Sequence, residues 1–102
     1  MAKINYSHDA IRDLEDIGDY IAEKLKNPTA ALNTVGKIQD AIDKLADFPL
    51  SGASISSVFE IDTDCRFVVS GNYLAFYRIQ HNDVYIDRVL YGRRDYLSIL
   101  FH

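Results

Sequence analysis

"CRFVVSGNYLAFYRIQHNDVYIDRVLYG", residues 65–92, decides the fold. Its apolar positions are held by β-branched and aromatic residues, which suit a pleated, half-buried surface better than a helix. "CRFVVS", "YLAFYRIQ" and "VYIDRVLYG" read as three strands, separated by Gly71-Asn72 and by a turn around His81, Asn82 and Asp83. Glycine accepts the positive φ of a type I′ or II′ turn, so Gly71-Asn72 marks a two-residue hairpin loop. Three strands joined this tightly make an antiparallel meander.

Upstream of the meander the period changes. "KINYS", residues 3–7, alternates Ile4 and Tyr6 with polar neighbours and reads as a short first strand. From Ser7, a good N-cap with Asp9 in the first turn, Ile11, Leu14, Ile17, Ile21 and Leu25 recur at spacings of three and four. That is one apolar stripe on an amphipathic helix. Asn27-Pro28 can cap and open a second helix, whose stripe runs through Ala31, Val35, Ile38, Ile42 and Leu45 until Phe48-Pro49 ends it. Two helices joined by so few residues form an antiparallel hairpin. "PLSGASISS", residues 49–57, has no periodicity and reads as a polar loop. The expected fold is therefore α+β, in the order β-α-α-β-β-β: an antiparallel twisted sheet with the helical hairpin on one face. The 102 residues suffice for one domain spanning 1–102, with a single modest core.

No apolar run approaches the roughly 20 residues that cross a bilayer, and the start of the chain lacks the apolar segment of a secretory signal. One cysteine, Cys65, allows no internal disulfide, as suits a reducing cytoplasm. The net charge of -4 is unevenly spread, being -6 over residues 1–65 and +2 over 66–102. All lysines lie in the first part and all arginines but Arg12 in the second. Arginine offers a planar fork for carboxylates and phosphates, so the interaction surface is expected in the C-terminal part.

Most enzyme chemistries lack their residues. His8, His81 and His102 are not at ligand spacing, which argues against a metal, and no residue pattern implies a cofactor. Cys65 reads as a small core residue at a strand start. Asp13, Asp16 and Asp19 fall opposite or beside the apolar stripe and read as a solvated helix face. What remains is the arginine set. By strand alternation Val84, Ile86, Arg88, Leu90 and, past Gly92, Arg94 share one parity. Tyr73, Ala75, Tyr77 and Ile79 make the better helix-packing face, which leaves Leu74, Phe76 and Arg78 on an open face. An open face part arginine and part apolar suits a protein or peptide better than nucleic acid. The plainer alternative is that Arg78 and Arg88 only pair with Asp83, Asp87 or Glu60 at the sheet rim.

The element order, the "LADFPLSG" helix exit, the "GNYLAFYRI" strand and the terminal "RVLYGRRDY" together resemble the RelE/ParE superfamily. These are the toxins of type II toxin-antitoxin modules, also described as plasmid-stabilisation proteins. The resemblance covers nearly the whole chain. It implies a growth-inhibiting cytoplasmic bacterial protein whose open sheet face is covered by a cognate antitoxin. Leu74, Phe76, Arg78, Arg88 and Arg93 are then the expected antitoxin or target contacts.

Two targets follow from the resemblance. RelE-type toxins are ribosome-dependent endoribonucleases acting on mRNA, a reaction that needs a proton acceptor, cationic groups for the developing charge and an acid. That branch carries an arginine where this chain has Leu74, and lysines where it has Cys65 and Phe67. Arg94 matches the branch's second arginine, and Tyr96 is the nearby substitute for a late tyrosine that falls near Leu100, so Arg94 and Tyr96 would be the catalytic residues of a nuclease. ParE-type toxins instead poison DNA gyrase by protein contact. Their apolar "YLxxYR" strand followed by "RVL" and a basic turn is closer to this chain, and net acidity agrees, since docking to ribosomal RNA favours a basic surface. A toxin fold that keeps the antitoxin partner without activity is the remaining reading.

Overall fold

The computed structural model describes residues 1–92 and 95–101. Its centre is the expected meander of β3 (Arg66–Ser70), β4 (Tyr73–Gln80) and β5 (Asp83–Tyr91), with β4 antiparallel to both neighbours. Gly71 takes φ +58° in the first turn, as its position demands, while His81 and Asn82 both adopt positive φ in the second. Two more strands complete a five-stranded sheet in the order β1-β5-β4-β3-β2.

β1 (Ile4–Tyr6) lies parallel to β5, with Ile4 opposite Val84 and Tyr6 opposite Ile86, so the sheet is mixed rather than wholly antiparallel. A parallel neighbour requires a long crossover, and the helical hairpin begins that connection. β2 (Ala53–Ser54) and the short helix α3 (Ile55–Phe59) occupy the stretch expected to be loop. Ile55, the one fully buried residue of α3, anchors that turn.

α1 (His8–Asp19) starts where expected, with the Ser7 hydroxyl accepting from the Ala10 N–H at 2.9 Å. A π-helical turn, Tyr20–Lys24, extends it, closed by the Leu25 N–H donating to the Tyr20 carbonyl at 3.3 Å. α2 (Pro28–Asp43) is capped by Asn27, whose side chain accepts from the Ala30 N–H, with Pro28 in the first turn. The helices bury Ala10, Ile38, Ile42 and Leu45 against Ala75, Tyr77, Val84, Ile86 and Val89 of the sheet.

The alternation expected along β5 fails at one residue. Tyr77 pairs with Ile86 but Phe76 pairs with Arg88, so Asp87 is a β-bulge. An extra residue on one strand turns everything beyond it to the opposite face. Val84 and Ile86 therefore face the helices, as does Val89, while Leu90 joins Phe76 on the other side.

That second face is covered, contrary to the expectation for Leu74 and Phe76. Phe76, Leu90, Cys65 and Ile55 form a second core, against which Leu74 packs together with Tyr96, Leu97, Ile99 and Leu100 of α4 (Tyr96–Phe101). The C-terminal "YLSILF" is thus the lid of this core, and Phe76 is fully buried. The physical reason is apolar area: an alternating strand that puts Leu74, Phe76 and Leu90 on one face must bury them.

A candidate protein-interaction surface

β1 ends at Tyr6, which leaves the outer edge of β5 without a strand beyond Ile86. Polar groups at the start of α1 close it instead. The Ser7 N–H donates to the Ile86 carbonyl at 3.0 Å, and the Ser7 hydroxyl donates to the carbonyl of the bulged Asp87 at 2.8 Å. Six residues on, Asp13 accepts from the Val89 N–H at 2.9 Å and, through both oxygens, from Arg88 Nε and Nη2 at 2.8 and 2.9 Å. Its side chain is only 11 % exposed, so Asp13 belongs to the joint between helix and sheet rather than to a solvated face.

Arg78 is also held by two bonds. Its Nε and Nη2 donate to Asp87 at 2.7 and 3.1 Å, which makes the bulge residue the clamp for the neighbouring strand's cation. For both guanidiniums the hydrogen-bonded carboxylate raises the pKa further and burial opposes it. Arg78 and Arg88 border a cavity of about 390 Å³ that also meets Cys65, Thr63, Ile99 and Leu100. The pairing of Arg78 with Asp87 is the rim pairing weighed from sequence, whereas Arg88 finds Asp13 instead.

Cys65 is the one thiol at this cavity among the described residues. Burial, aided by Asp87 and Asp64, pushes the Cys65 thiol up to about 11, so it stays protonated and inert near neutrality. Tyr96 spends its ring on packing, 5.3 Å from Phe76 and 6.0 Å edge-on from Phe59. His8 and His81 are both exposed, and the described residues include no group of three metal-ligating side chains. Arg93 and Arg94 lie outside the described residues.

The loop that leads out of α2 is fixed by a single phenol. Tyr77, fully buried, donates its hydroxyl proton to the Pro49 carbonyl at 2.7 Å and accepts from the Gly52 N–H at 3.0 Å. Arg66 adds a bond from Nη1 to the Gly52 carbonyl at 3.0 Å. "FPLSG" is thereby locked to β3 and β4, with Phe48 and Leu50 projecting into solvent.

Residues 4–96, from β1 to the first residue of α4, match the family described as the ParE toxin of the type II toxin-antitoxin system, parDE. The chain belongs to the ParE toxin family. It is also 32 % identical over 100 residues to the candidate toxin Y4kP of Sinorhizobium fredii, covering 96 % of each chain. Among solved structures, this ParE-family toxin is similar in fold to a chain of the chromosomal ParDE system from P. aeruginosa. The TM-score is 0.74, with 24 % identity over 89 % of this chain and 96 % of that one. The toxin-antitoxin complex RelBE2 from Mycobacterium tuberculosis is a more distant likeness, with a TM-score of 0.59 and 21 % identity over 88 % and 90 % of the two chains. Among the described residues no helix is long and apolar enough to cross a membrane.

Two determinants of this surface were not legible in the sequence. Asp13 looked like one carboxylate among several on α1, and only the short β1 makes it an edge partner. The bulge at Asp87 has no residue signature that distinguishes it from its neighbours.

Proposed function

We propose that this ParE-family toxin acts in the bacterial cytoplasm by protein contact with DNA gyrase and is neutralised by a cognate antitoxin encoded beside it. The observation that carries the proposal is the family match taken with the state of the second sheet face. Where a RelE-type nuclease needs cations, this chain has Leu74, Cys65 and Phe67, packed into or against an apolar core under α4. A developing phosphorane charge would meet hydrocarbon and a protonated thiol there. Loss of several charge-stabilising groups, each worth about 3–4 kcal/mol in comparable sites, removes most of the catalysis.

Arg78 and Arg88 remain proposed contacts, but as pre-oriented forks already paired with Asp87 and Asp13. Such pairs present a fixed surface of both signs, which suits a protein partner and gives RNA little net attraction. Arg93 and Arg94 add the remaining positive charge of this end of the chain. Purified toxin tested for inhibition of gyrase supercoiling, beside primer-extension mapping of cellular mRNA after induction, separates the targets. Inhibited supercoiling with intact mRNA supports the proposal. Codon-linked cuts in the ribosomal A site would assign the protein to the nuclease branch. Antitoxin binding with neither effect would leave an inactive binding module.

A further inference from the structure

The turn that carries the chain from α2 to the sheet holds two large apolar side chains in water. Phe48 is 68 % and Leu50 69 % exposed. The main chain beneath them is tied down on both sides: the Phe48 N–H donates to the Lys44 carbonyl at 3.1 Å and the Ser51 N–H to the Phe48 carbonyl at 3.0 Å, while Tyr77 and Arg66 hold Pro49 and Gly52. A loose loop would fold such side chains back onto the protein. This one is fixed, so their outward placement belongs to the fold. Large apolar side chains ordered in advance lose little entropy when a partner buries them, which suits them as anchors.

The charge at the same place runs against the helix. α2 ends at Asp43 and continues through a 3-10 turn, Lys44–Ala46, into Asp47. Asp40, Asp43 and Asp47 are all exposed there, and Lys44 is the one basic side chain between residues 38 and 52. The carbonyl end of a helix is the negative end of its dipole, where carboxylates are unfavourable and cations stabilise. Beside the turn lies a depression of about 340 Å³, lined by Asp47 and Asp83 with Pro49, Asn82 and the first two residues, and by no lysine or arginine among the described residues. Apolar exposure and charge of the wrong sign thus break two local rules in one turn, which marks a surface kept for something other than stability.

Charge separates the occupants this surface could take. Nucleic acid is repelled by carboxylates. A second copy would bring the same acidic turn against itself, and two side chains fall far short of the roughly 800 Å² that each partner buries in a stable interface. DNA gyrase differs from both, because an enzyme that holds a polyanion must hold it on a cationic surface. Residues 1–65 of the toxin carry -6 and residues 66–102 carry +2, so such a surface attracts the acidic part, to which this turn belongs.

We propose that Phe48 and Leu50 are the anchors of this toxin on DNA gyrase, inserted into an apolar pocket of its cationic, DNA-holding face, with Asp43 and Asp47 pairing with the lysines or arginines around that pocket. The inference rests on the gyrase reading and adds the surface by which the target is met. The test is the concentration of purified full-length toxin that half-inhibits supercoiling. Phe48→Ser and Leu50→Ser each raise it about tenfold, equivalent to about 1.4 kcal/mol. Leu32→Ser, at a 77 % exposed side chain early in α2, leaves it unchanged. Asp47→Lys separates recognition from folding: it places the favourable charge at the helix end, so the urea midpoint holds or rises, while inhibition weakens by about tenfold. A mere loss of stability would lower both. Affinity for the product of the adjacent reading frame, measured by titration calorimetry, stays at the wild-type value in all four variants.

Wild-type potency in Phe48→Ser and Leu50→Ser, or in Asp47→Lys, overturns the anchor assignment and leaves the gyrase reading standing. Potency lost together with affinity for the neighbouring product also overturns it, giving the turn to the antitoxin. So does a toxin dimer, seen by sedimentation, that Phe48→Ser dissociates. A wild-type toxin without effect on supercoiling refutes the reading and the inference together.

Discussion

Gly52→Ala tests whether the "FPLSG" exit of α2 is held as described. A Cβ at Gly52 would stand 2.5 Å from the Tyr77 hydroxyl oxygen, 2.7 Å from Tyr77 Cε1 and 2.7 Å from the Phe67 carbonyl oxygen. Real Cβ atoms do not approach so closely, so something must move. Tyr77 is fully buried and cannot swing into solvent, and the Phe67 carbonyl belongs to β3. The phenol must therefore give up its bonds to Gly52 and Pro49, or the loop must lift from the sheet. Overpacking of a close-fitted core costs about 1–3 kcal/mol, and each neutral hydrogen bond lost adds about 1 kcal/mol, so the expected destabilisation is about 2–4 kcal/mol. Gly36→Ala is the internal control. It lies within α2 with nothing inside 4 Å of its Cβ position, and it should gain up to about 1 kcal/mol from helix propensity and unfolded-state entropy. Urea unfolding reads both: with a slope of about 1–3 kcal/mol per molar, the Gly52→Ala midpoint falls by about 1 M or more while that of Gly36→Ala holds or rises. A Gly52→Ala protein within about 0.5 kcal/mol of wild type would refute the proposed close packing.

Asp13→Asn keeps the side-chain shape but removes the charge that Arg88 shares. With three hydrogen bonds at one little-exposed carboxylate, the expected loss is about 1.5–3 kcal/mol by chemical denaturation. Arg78→Met, at a pair whose side chains are 38 % and 29 % exposed, should lose no more than about 1 kcal/mol. Equal losses would contradict the distinction between the two pairs. Cys65, with its thiol pushed up to about 11 from an ordinary 9, should resist iodoacetamide up to pH 9 in the folded protein and react once unfolded in urea. The same shift has a thermodynamic sign: between pH 9 and about 11 the unfolded chain has released a proton that the folded one keeps. Stability therefore falls as pH rises through that window. The buried phenol of Tyr77, also raised by desolvation, extends the loss above pH 10, and flat stability from pH 8 to 11 would count against both assignments.

The meander was legible because its signals are local. Val68, Val69, Phe76 and Tyr77 favour a pleated surface, and Gly71-Asn72 supplies a turn that few other pairs accept. The helical hairpin was legible for the same reason, through Ser7 and Asn27 at the caps and the spacing of Ile38, Ile42 and Leu45. What escaped depends on tertiary contacts. One inserted residue at Asp87 turned Leu90 away from the face shared by Val84 and Ile86, and no propensity marks such an insertion. α3 spans five residues and α4 six, too short for a period to show, and what makes them matter is the apolar surface of Phe76 and Leu90 beneath. Asp13 reads as solvent-facing by helical phase, because phase says nothing about where β1 stops. The second sheet face looked open for a related reason: its cover is the last helix of the chain itself, so any partner reaching Leu74 or Phe76 must first contend with α4.

The central proposal is that this ParE-family toxin acts by protein contact, with Cys65, Phe67 and Leu74, where RelE-type toxins carry cations, packed into or against an apolar core. The most direct test is a gyrase supercoiling assay with purified toxin, run with and without the product of the adjacent reading frame. Inhibition by the toxin alone, relieved by a stoichiometric amount of that product, is the expected result. Undisturbed supercoiling, together with ribosome-dependent cleavage of mRNA by the same preparation, would contradict it.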